Sequence, residues 1–401
     1  MSILVVNAGS SSVKFAMFRL DDLMPTLTAL LDWHGNSHQA SLTLSRSDEG
    51  IRTFQIDAAD YRAAVATSLK TIRQAMHDAN KAEPEFRVVG HRLIHGGEEL
   101  RRPVRIDSRM KETIAGFAEL APLHIPPGLE AIAASETALP GVPQVGVFDT
   151  AFFGEFPPEV FLYPLPYEWY RKWGIRRFGY HGISHQYCSQ RAAEMLDGDS
   201  DETRIVICHL GQGASLTAVR GGVAVNNTMG FTPLEGLMMG TRSGTVDPGI
   251  LLHVQREHRI SVDELDDILH KQSGLLGLSG VSSDFRKVEA AAASGNSRAQ
   301  HALLVYAHRV REQIGAYAVT LGGLDALVFT GGIGENSTRL RRDVCRGLEC
   351  LGANLDNKRN EETRADGDIA TADSCARILV IHTRENLLIA RQARELVADI
   401  D

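Results

Sequence analysis

Nowhere in the 401 residues does an unbroken apolar run approach the ~18 residues of a bilayer-crossing helix, which argues against a membrane span. Cysteine is scarce. Cys188, Cys208, Cys345, Cys350 and Cys375 form an odd set without paired zinc spacing, which fits a reducing cytoplasm better than a disulfide framework. The amino terminus lacks a basic prefix followed by an apolar signal core, and Ile3-Leu4-Val5-Val6 reads instead as a strand. Positive charge is not in excess: 42 basic against 50 acidic residues leave a formal charge of -8. That argues against a broad nucleic-acid surface while leaving a local basic cleft open. His91/His95 and His181/His185 repeat at four residues, but their glycine-rich surroundings do not look like helical metal sites, so zinc is not expected.

What is present is a soluble composition, 43% hydrophobic and 23% charged, over a length suited to two or three domains. Two strand-turn-strand stretches stand about half a chain apart. Ile3–Val6 enters Asn7-Ala8-Gly9-Ser10-Ser11-Ser12 and leaves through Val13–Phe18; Ile205–Leu210 enters Gly211-Gln212-Gly213-Ala214-Ser215. Glycines allow backbone N–H groups to approach an anion, and serine adds a hydroxyl donor. Either stretch alone could be an ordinary hairpin. Together they suggest a duplicated architecture with two phosphate-facing loops.

Between them the pattern alternates strand and helix. Leu23–Leu31 and Ala40–Thr43 read as strands about a turn at His34-Gly35-Asn36. Tyr61, Val65, Leu69, Ile72 and Met76 mark one face of a helix over 60–79. Phe86–Val89 and Val142–Phe148 read as strands that deliver Gly90–Gly97 and Asp149-Thr150 to their ends, where ligands collect in open α/β sheets. The segment 156–173 does not read as a regular element, and the glycine-rich stretch 230–244 reads as a loop system shaping a pocket. Ser261 and Glu264 have capping-box spacing for a helix to about Lys271. Ser283–Arg286 opens another helix, and the longest spans 299–321 before Gly322-Gly323. Ala326–Thr330 then leads into Gly331-Gly332-Ile333-Gly334-Glu335-Asn336, which suits a nucleotide phosphate or ribose edge. This turn carries neither the Walker lysine pattern nor the dinucleotide glycine pattern. A strand at 376–380 and a helix at 386–397 close the chain.

Asn7, Lys14, Arg92, His124, Asp149, His181, Arg242 and Glu385 are the polar residues that could serve phosphoryl transfer, where cations compensate phosphoryl oxygens and carboxylates organise magnesium or the nucleophile. Taken singly, each has a bland alternative. Arg92 or Arg242 could make a surface ion pair, Asp149 or Glu385 could cap a helix, and the histidines could make structural hydrogen bonds.

In order along the chain, Asn7–Phe15, Gly90–Gly97, Asp149-Thr150-Ala151-Phe152, Tyr180–His185, Met239–Gly244 and Gly331–Asn336 resemble the acetate kinase family, within the acetate/sugar kinase, heat-shock-protein-70 and actin superfamily. The resemblance extends over essentially the whole chain. It implies an α/β fold of two duplicated ribonuclease-H-like domains with an interdomain active cleft. The expected division is 1–150 plus 386–401, closed by the C-terminal helix, and 151–385, which binds nucleotide and supplies a homodimer contact.

The implied activity is reversible transfer of the ATP γ-phosphoryl group to acetate, with magnesium (or manganese in its place) and ATP/ADP as co-substrate. Neither nucleic acid nor membrane is an expected partner. By resemblance, Arg92 and Arg242 clamp substrate carboxylate and phosphoryl group, His181 donates to the phosphoryl group with His124 assisting, and Asp149 orients the reactants. Asn7, Asp149 and Glu385 stand near the metal. Ile94, Leu123, Tyr180 and Pro233 line the acyl pocket. Ser10, Ser12, Lys14, His209, Gly211, Gln212 and Gly213 serve the phosphates, and Asp284, Phe285, Arg286, Gly332, Ile333 and Asn336 the adenosine side.

Ile94 and Tyr180 stand where the family commonly has Val and Phe, and the larger Ile94 predicts a preference for acetate over propionate or butyrate. Gln212 replaces a usual Asn, and Thr245 a usual Asp, which bears on phosphate-donor choice. Propionate or butyrate kinase, a pyrophosphate-linked enzyme, and a nonenzymatic nucleotide-gated protein are the competing readings.

Overall fold

The structure is a computed structural model that describes residues 1–9, 12–33, 39–46, 50–80, 84–196 and 201–398. The expected turn at 34–36 and the phosphate ligand Ser10 lie outside the described residues. The chain divides into two compact units, 1–154 with 384–401, and 155–383.

In the first unit the strands are β1 (Ser2–Ala8), β2 (Ser12–Arg19), β3 (Pro25–Trp33), β4 (Gln39–Arg46), β5 (Gly50–Asp57), β6 (Phe86–Leu93), β7 (Val104–Arg105) and β8 (Gln144–Phe148). They form one sheet in the order β5-β4-β3-β2-β1-β6-β8-β7. β1, β6 and β8 run parallel, with Asn7 level with Arg92 and Leu93 level with Phe148. Ile3 to Val6 are all buried because helices cover both faces of this part of the sheet. Leu4 and Val6 join a core with Val65, Leu69 and Ile72 of the helix Tyr61–Asn80 and with Ala131 and Ala134 of the helix Ile125–Ala138. Burying one such large aliphatic side chain stabilises by about 1.5–3 kcal/mol. Gly90 faces the last helix, Glu385–Ala398, at a spacing where a Cβ would stand 2.8 Å from Ile389 Cγ2.

The second unit has β9 (Arg204–Leu210), β10 (Ala214–Arg220), β11 (Val223–Asn227), β12 (Ala326–Thr330), β13 (Gly367–Asp368) and β14 (Arg377–Val380), ordered β11-β10-β9-β12-β14-β13. β12 runs parallel to both β9 and β14. An antiparallel meander followed by two parallel additions therefore occurs in both units, as β3-β2-β1-β6-β8 and as β11-β10-β9-β12-β14. The helix Ser297–Leu321 packs on β9 and β10 and ends at Gly322 in the left-handed conformation.

Several elements differ from the sequence reading. β5 is an edge strand exposed along most of its length, so it carries no apolar alternation to detect. The helix Pro248–His258 has no buried residue in the chain by itself. The segment 156–173 contains the short helices Pro158–Phe161 and Tyr167–Trp173. Ser261 and Glu264 do form the capping box, but the helix Val262–Asp267 widens into a π-helical turn at Ile268–Gln272. Residues 229–247 form no regular element, in keeping with their glycine content.

Candidate active site

In the first unit three parallel strands deliver Asn7, Arg92 and Asp149 to one end of the sheet. Asp149 is almost completely buried, and Arg92 meets it two-pronged, Nε to Oδ1 at 3.2 Å and Nη2 to Oδ2 at 2.5 Å. Arg92 Nη1 donates to Asn7 Oδ1 at 3.2 Å. Burial works against the guanidinium charge, but Asp149 and then Glu385 outweigh it and raise the arginine pKa. Glu385 is the first residue of the last helix, so the C-terminal element supplies a second carboxylate to this strand end.

This donor set suits magnesium. Asn7 Oδ1 and the carboxylates of Asp149 and Glu385 are hard oxygens, and magnesium takes one or two carboxylates and completes its shell with water and phosphate. No group of three His, Cys, Asp or Glu side chains able to cage an ion occurs among the described residues. The fit to magnesium is in the chemistry of the oxygens alone.

His124 caps the helix Ile125–Ala138 without a side-chain capping bond and is half-buried. Leu123 is 63% exposed, whereas Ile94 packs partly against the cluster of Leu93, Ile125 and Phe148. Ser12 is half-buried and Lys14 exposed on β2.

In the second unit His181 stands at the amino end of the helix Gly182–Met195 with φ +61°, a left-handed conformation that a histidine adopts at some cost. Its ring stacks on His209 at 4.5 Å between centroids. Ser215 Oγ lies 2.9 Å from His181 Nδ1 and 2.7 Å from His185 Nε2. A hydroxyl donates only once, so at least one of those two nitrogens presents an N–H to it. Ser215 is therefore engaged by two imidazoles, not free as the anion donor its place in the loop suggested. Ser184 Oγ similarly joins His209 Nδ1 at 2.8 Å to Thr383 Oγ1 at 2.9 Å.

Arg242 is half-buried, and its Nη1 donates to the Pro233 carbonyl at 2.9 Å. Among the described residues no carboxylate pairs with it, and desolvation lowers its pKa. A Cβ placed on Gly213 would lie 3.3 Å from His181 Nε2 and 3.5 Å from Arg242 Nη2. The absence of a side chain on Gly213 thus leaves space beside an imidazole nitrogen and a guanidinium that has no carboxylate partner among the described residues. Tyr180 is buried, and its hydroxyl donates to the Phe231 carbonyl at 2.9 Å.

Gly211, Gln212 and Gly213 link β9 to β10, and Gly240 N donates to the Gln212 carbonyl at 3.1 Å. Gly331 takes φ +78°, and a Cβ there would stand 2.8 Å from the Leu210 carbonyl oxygen, so glycine lets the turn after β12 lie against the end of β9. Gly332, Ile333 and Asn336 belong to the helical turn Gly331–Asn336, in which Asn336 Nδ2 donates to the Gly332 carbonyl at 2.9 Å. Asp284 caps the helix Phe285–Ala293 and pairs with Arg286 at 2.8 Å. The Phe285 ring is in the core against Tyr306, which leaves mainly its backbone for a ligand.

Sequence reasoning passed over Tyr163, Arg177 and Glu235, which form a hydrogen-bonded group around residues 227–235. Arg177 and Glu235 flank quoted motifs, yet nothing in their spacing shows that they meet.

The first unit thus has a forked arginine–carboxylate pair at a strand end, and the second has glycine turns with an arginine beside histidine, the kinds of group that a phosphotransferase uses. Comparison with known proteins narrows the class. The model of the acetokinase family matches residues 2–391. An acetate kinase of Cyanothece sp. is 46% identical over 403 residues, covering 99% of this chain and 98% of that protein. The crystal structure of Porphyromonas gingivalis acetate kinase superimposes with a TM-score of 0.93 at 40% identity, covering 99% of each chain. A propionate kinase from Francisella tularensis gives a TM-score of 0.90 at 36% identity, over 98% of this chain and 99% of that one. The chain belongs to the acetokinase family, has the fold of the actin and sugar-kinase class, and is an enzyme of the acetate kinase type.

Proposed function

We propose that the protein transfers the γ-phosphoryl group of ATP directly and reversibly to acetate, giving acetyl phosphate and ADP. The observation that carries the site assignment is Arg242, a half-buried guanidinium held on a carbonyl oxygen with no carboxylate among the described residues to neutralise it. Such a group is an anion receptor, and charge on the equatorial phosphoryl oxygens is what a phosphotransferase must compensate.

The acid needs no general base, because a carboxylate is already ionised near neutral pH. One carboxylate oxygen attacks phosphorus while the bond to the bridging oxygen of ADP breaks. Arg92, oriented by Asp149 and Asn7, binds the acid or the incoming phosphoryl group. In the order His185 Nε2–H to Ser215 Oγ–H to His181 Nδ1, the relay leaves His181 Nε2–H as a donor, and His124 assists it. Magnesium at Asn7, Asp149 and Glu385 would neutralise charge on the donor phosphates. Ile94, Leu123, Tyr180 and Pro233 shape the acyl pocket. Ser10, Ser12, Lys14, His209, Gly211, Gln212 and Gly213 hold phosphates, and Asp284, Phe285, Arg286, Gly332, Ile333 and Asn336 hold the nucleoside.

This reading takes the two units as duplicated ribonuclease-H-like domains, divided as 1–150 plus 386–401 and 151–385. A homodimer through the second domain is supported by the exposed Ile250 and Leu252 on a helix without buried residues. The setting is cytoplasmic; no described helix is long and apolar enough to cross a membrane.

The test is an activity matrix of ATP and pyrophosphate against acetate, propionate and butyrate, with and without EDTA. Magnesium-dependent acetyl phosphate formation from ATP, strongest with acetate, is expected. Preference for butyrate or for pyrophosphate would overturn the corresponding assignment.

A further inference from the structure

Arg242 donates to the Pro233 carbonyl, and the loop that carries this carbonyl is bonded to Tyr180 of the acyl pocket and to Tyr163 and Arg177, side chains to which the site above gives no role. Pro233 lies between two anchored neighbours, Phe231 and Glu235. The Phe231 N–H donates to Tyr163 Oη at 2.8 Å, and its carbonyl accepts from Tyr180 Oη at 2.9 Å. Glu235 accepts from Tyr163 Oη through one carboxylate oxygen and from Arg177 Nη2, at 2.5 Å, through the other. Arg177 Nη1 faces the carbonyls of Asn227, Thr228 and Met229 at 3.0, 3.3 and 3.1 Å. Any side chain on Gly230 would overlap the Glu235 carboxylate and the Tyr163 hydroxyl, so the loop closes tightly over the group.

One hydroxyl thus ties both sides of Pro233, since Tyr163 Oη accepts from the residue two before it and donates to the residue two after it. The loop forms no regular element, so no helix or strand ladder of its own holds it. Backbone bonds hold its two ends, Phe178 N to the Gly230 carbonyl at 3.0 Å and Thr245 N to the Gly236 carbonyl at 2.8 Å, and between them the side-chain bonds add order, because polar groups left unpaired away from water are costly. A small displacement of a reacting group costs rate steeply. An arginine anchored to a slack loop would lose its aim.

We propose that Tyr163 and Glu235 are positioning residues for phosphoryl transfer, fixing the Pro233 carbonyl and through it the Arg242 guanidinium. This rests on the reading that Arg242 acts on the transferring group.

The experiment is a double-mutant cycle on the full-length enzyme, using Tyr163→Phe, Glu235→Gln and Arg242→Ala, with acetate kcat/KM, ATP KM and Tm measured for each. Tyr163→Phe and Glu235→Gln should each lower acetate kcat/KM at least tenfold while ATP KM stays within twofold. Adding Tyr163→Phe to Arg242→Ala should cost less than twofold further, because the group being positioned is already gone. Wild-type kcat/KM in both single variants, losses that multiply in the Arg242→Ala background, or a fall explained by folded fraction alone would overturn the proposal. Should Tyr163→Phe fail to fold, Glu235→Gln in the same cycle decides the matter. Undiminished turnover in Arg242→Ala would overturn the underlying reading and the positioning role with it. A dead Arg242→Ala beside an unaffected Tyr163→Phe and Glu235→Gln would overturn the positioning role alone.

Discussion

Arg92 and Asp149 share a forked ion pair of unequal surroundings: the arginine side chain keeps 23% of its surface exposed and the carboxylate 1%. Removing either member is therefore not equivalent. Without Arg92 a buried carboxylate loses its cation, whereas without Asp149 the arginine still reaches water and Asn7.

Stability should report this asymmetry. Arg92→Ala is expected to destabilise the first unit by about 3–5 kcal/mol, the range for an abandoned buried charge. Asp149→Ala should cost clearly less, although both are expected to abolish turnover. Urea unfolding at neutral pH measures the two, and equal losses would mean that the burial difference has no energetic weight.

Ser215→Ala interrupts the bridge between His181 and His185. The prediction is a kcat about 10²–10³-fold lower, the span typical of losing one hydrogen-bond donor to transition-state charge, with ATP KM nearly unchanged. Near-normal kcat would show that His181 keeps its orientation without the hydroxyl.

Ile94→Val removes one methylene-sized volume from the expected acyl pocket. The ratio of propionate to acetate kcat/KM should rise by about 10-fold or more, since a methylene in such a pocket is worth about 1–3 kcal/mol. An unchanged ratio would place the chain-length determinant elsewhere.

Acid should weaken the first unit in a defined window. Burial lowers the pKa of both His91 and His95 to about 4, from an ordinary 6.5. Both are neutral when folded, so below pH 6.5 the unfolded chain binds the extra protons. Their contribution is then complete above about pH 6.5 and declines as pH falls toward about 4. Tm measured across that interval should drop, and His91→Gln should flatten the slope. Because His91 Nε2 donates to Gln144 Oε1 at 2.7 Å, the variant also loses some stability at neutral pH. A Tm independent of pH from 7 to 4 would contradict the burial argument.

The legible part of the molecule is where local chemistry and burial coincide. Ile3–Val6 and Ala326–Thr330 read as strands because they are apolar on both faces, and Ser261 with Glu264 announced a helix start through spacing alone. The edge strand β5 and the helix Pro248–His258 were not read, because neither buries a continuous apolar face within the chain. Asn7, Arg92 and Asp149 were picked out as polar strand ends, but their joining depends on β1, β6 and β8 being neighbours, a long-range fact.

By itself the sequence determined the family and its chemistry, since glycine turns, strand-end polar residues and their order are written in consecutive positions. Tertiary structure alone decided who pairs with whom. It gave Asp149 to Arg92, left Arg242 without a carboxylate among the described residues, engaged Ser215 between two imidazoles, and tied Phe231 and Glu235 to Tyr163. Hydrogen bonds and ion pairs act over about 3 Å. Residues 57 or 72 positions apart come within that reach only when the sheet order and the loop path bring them there.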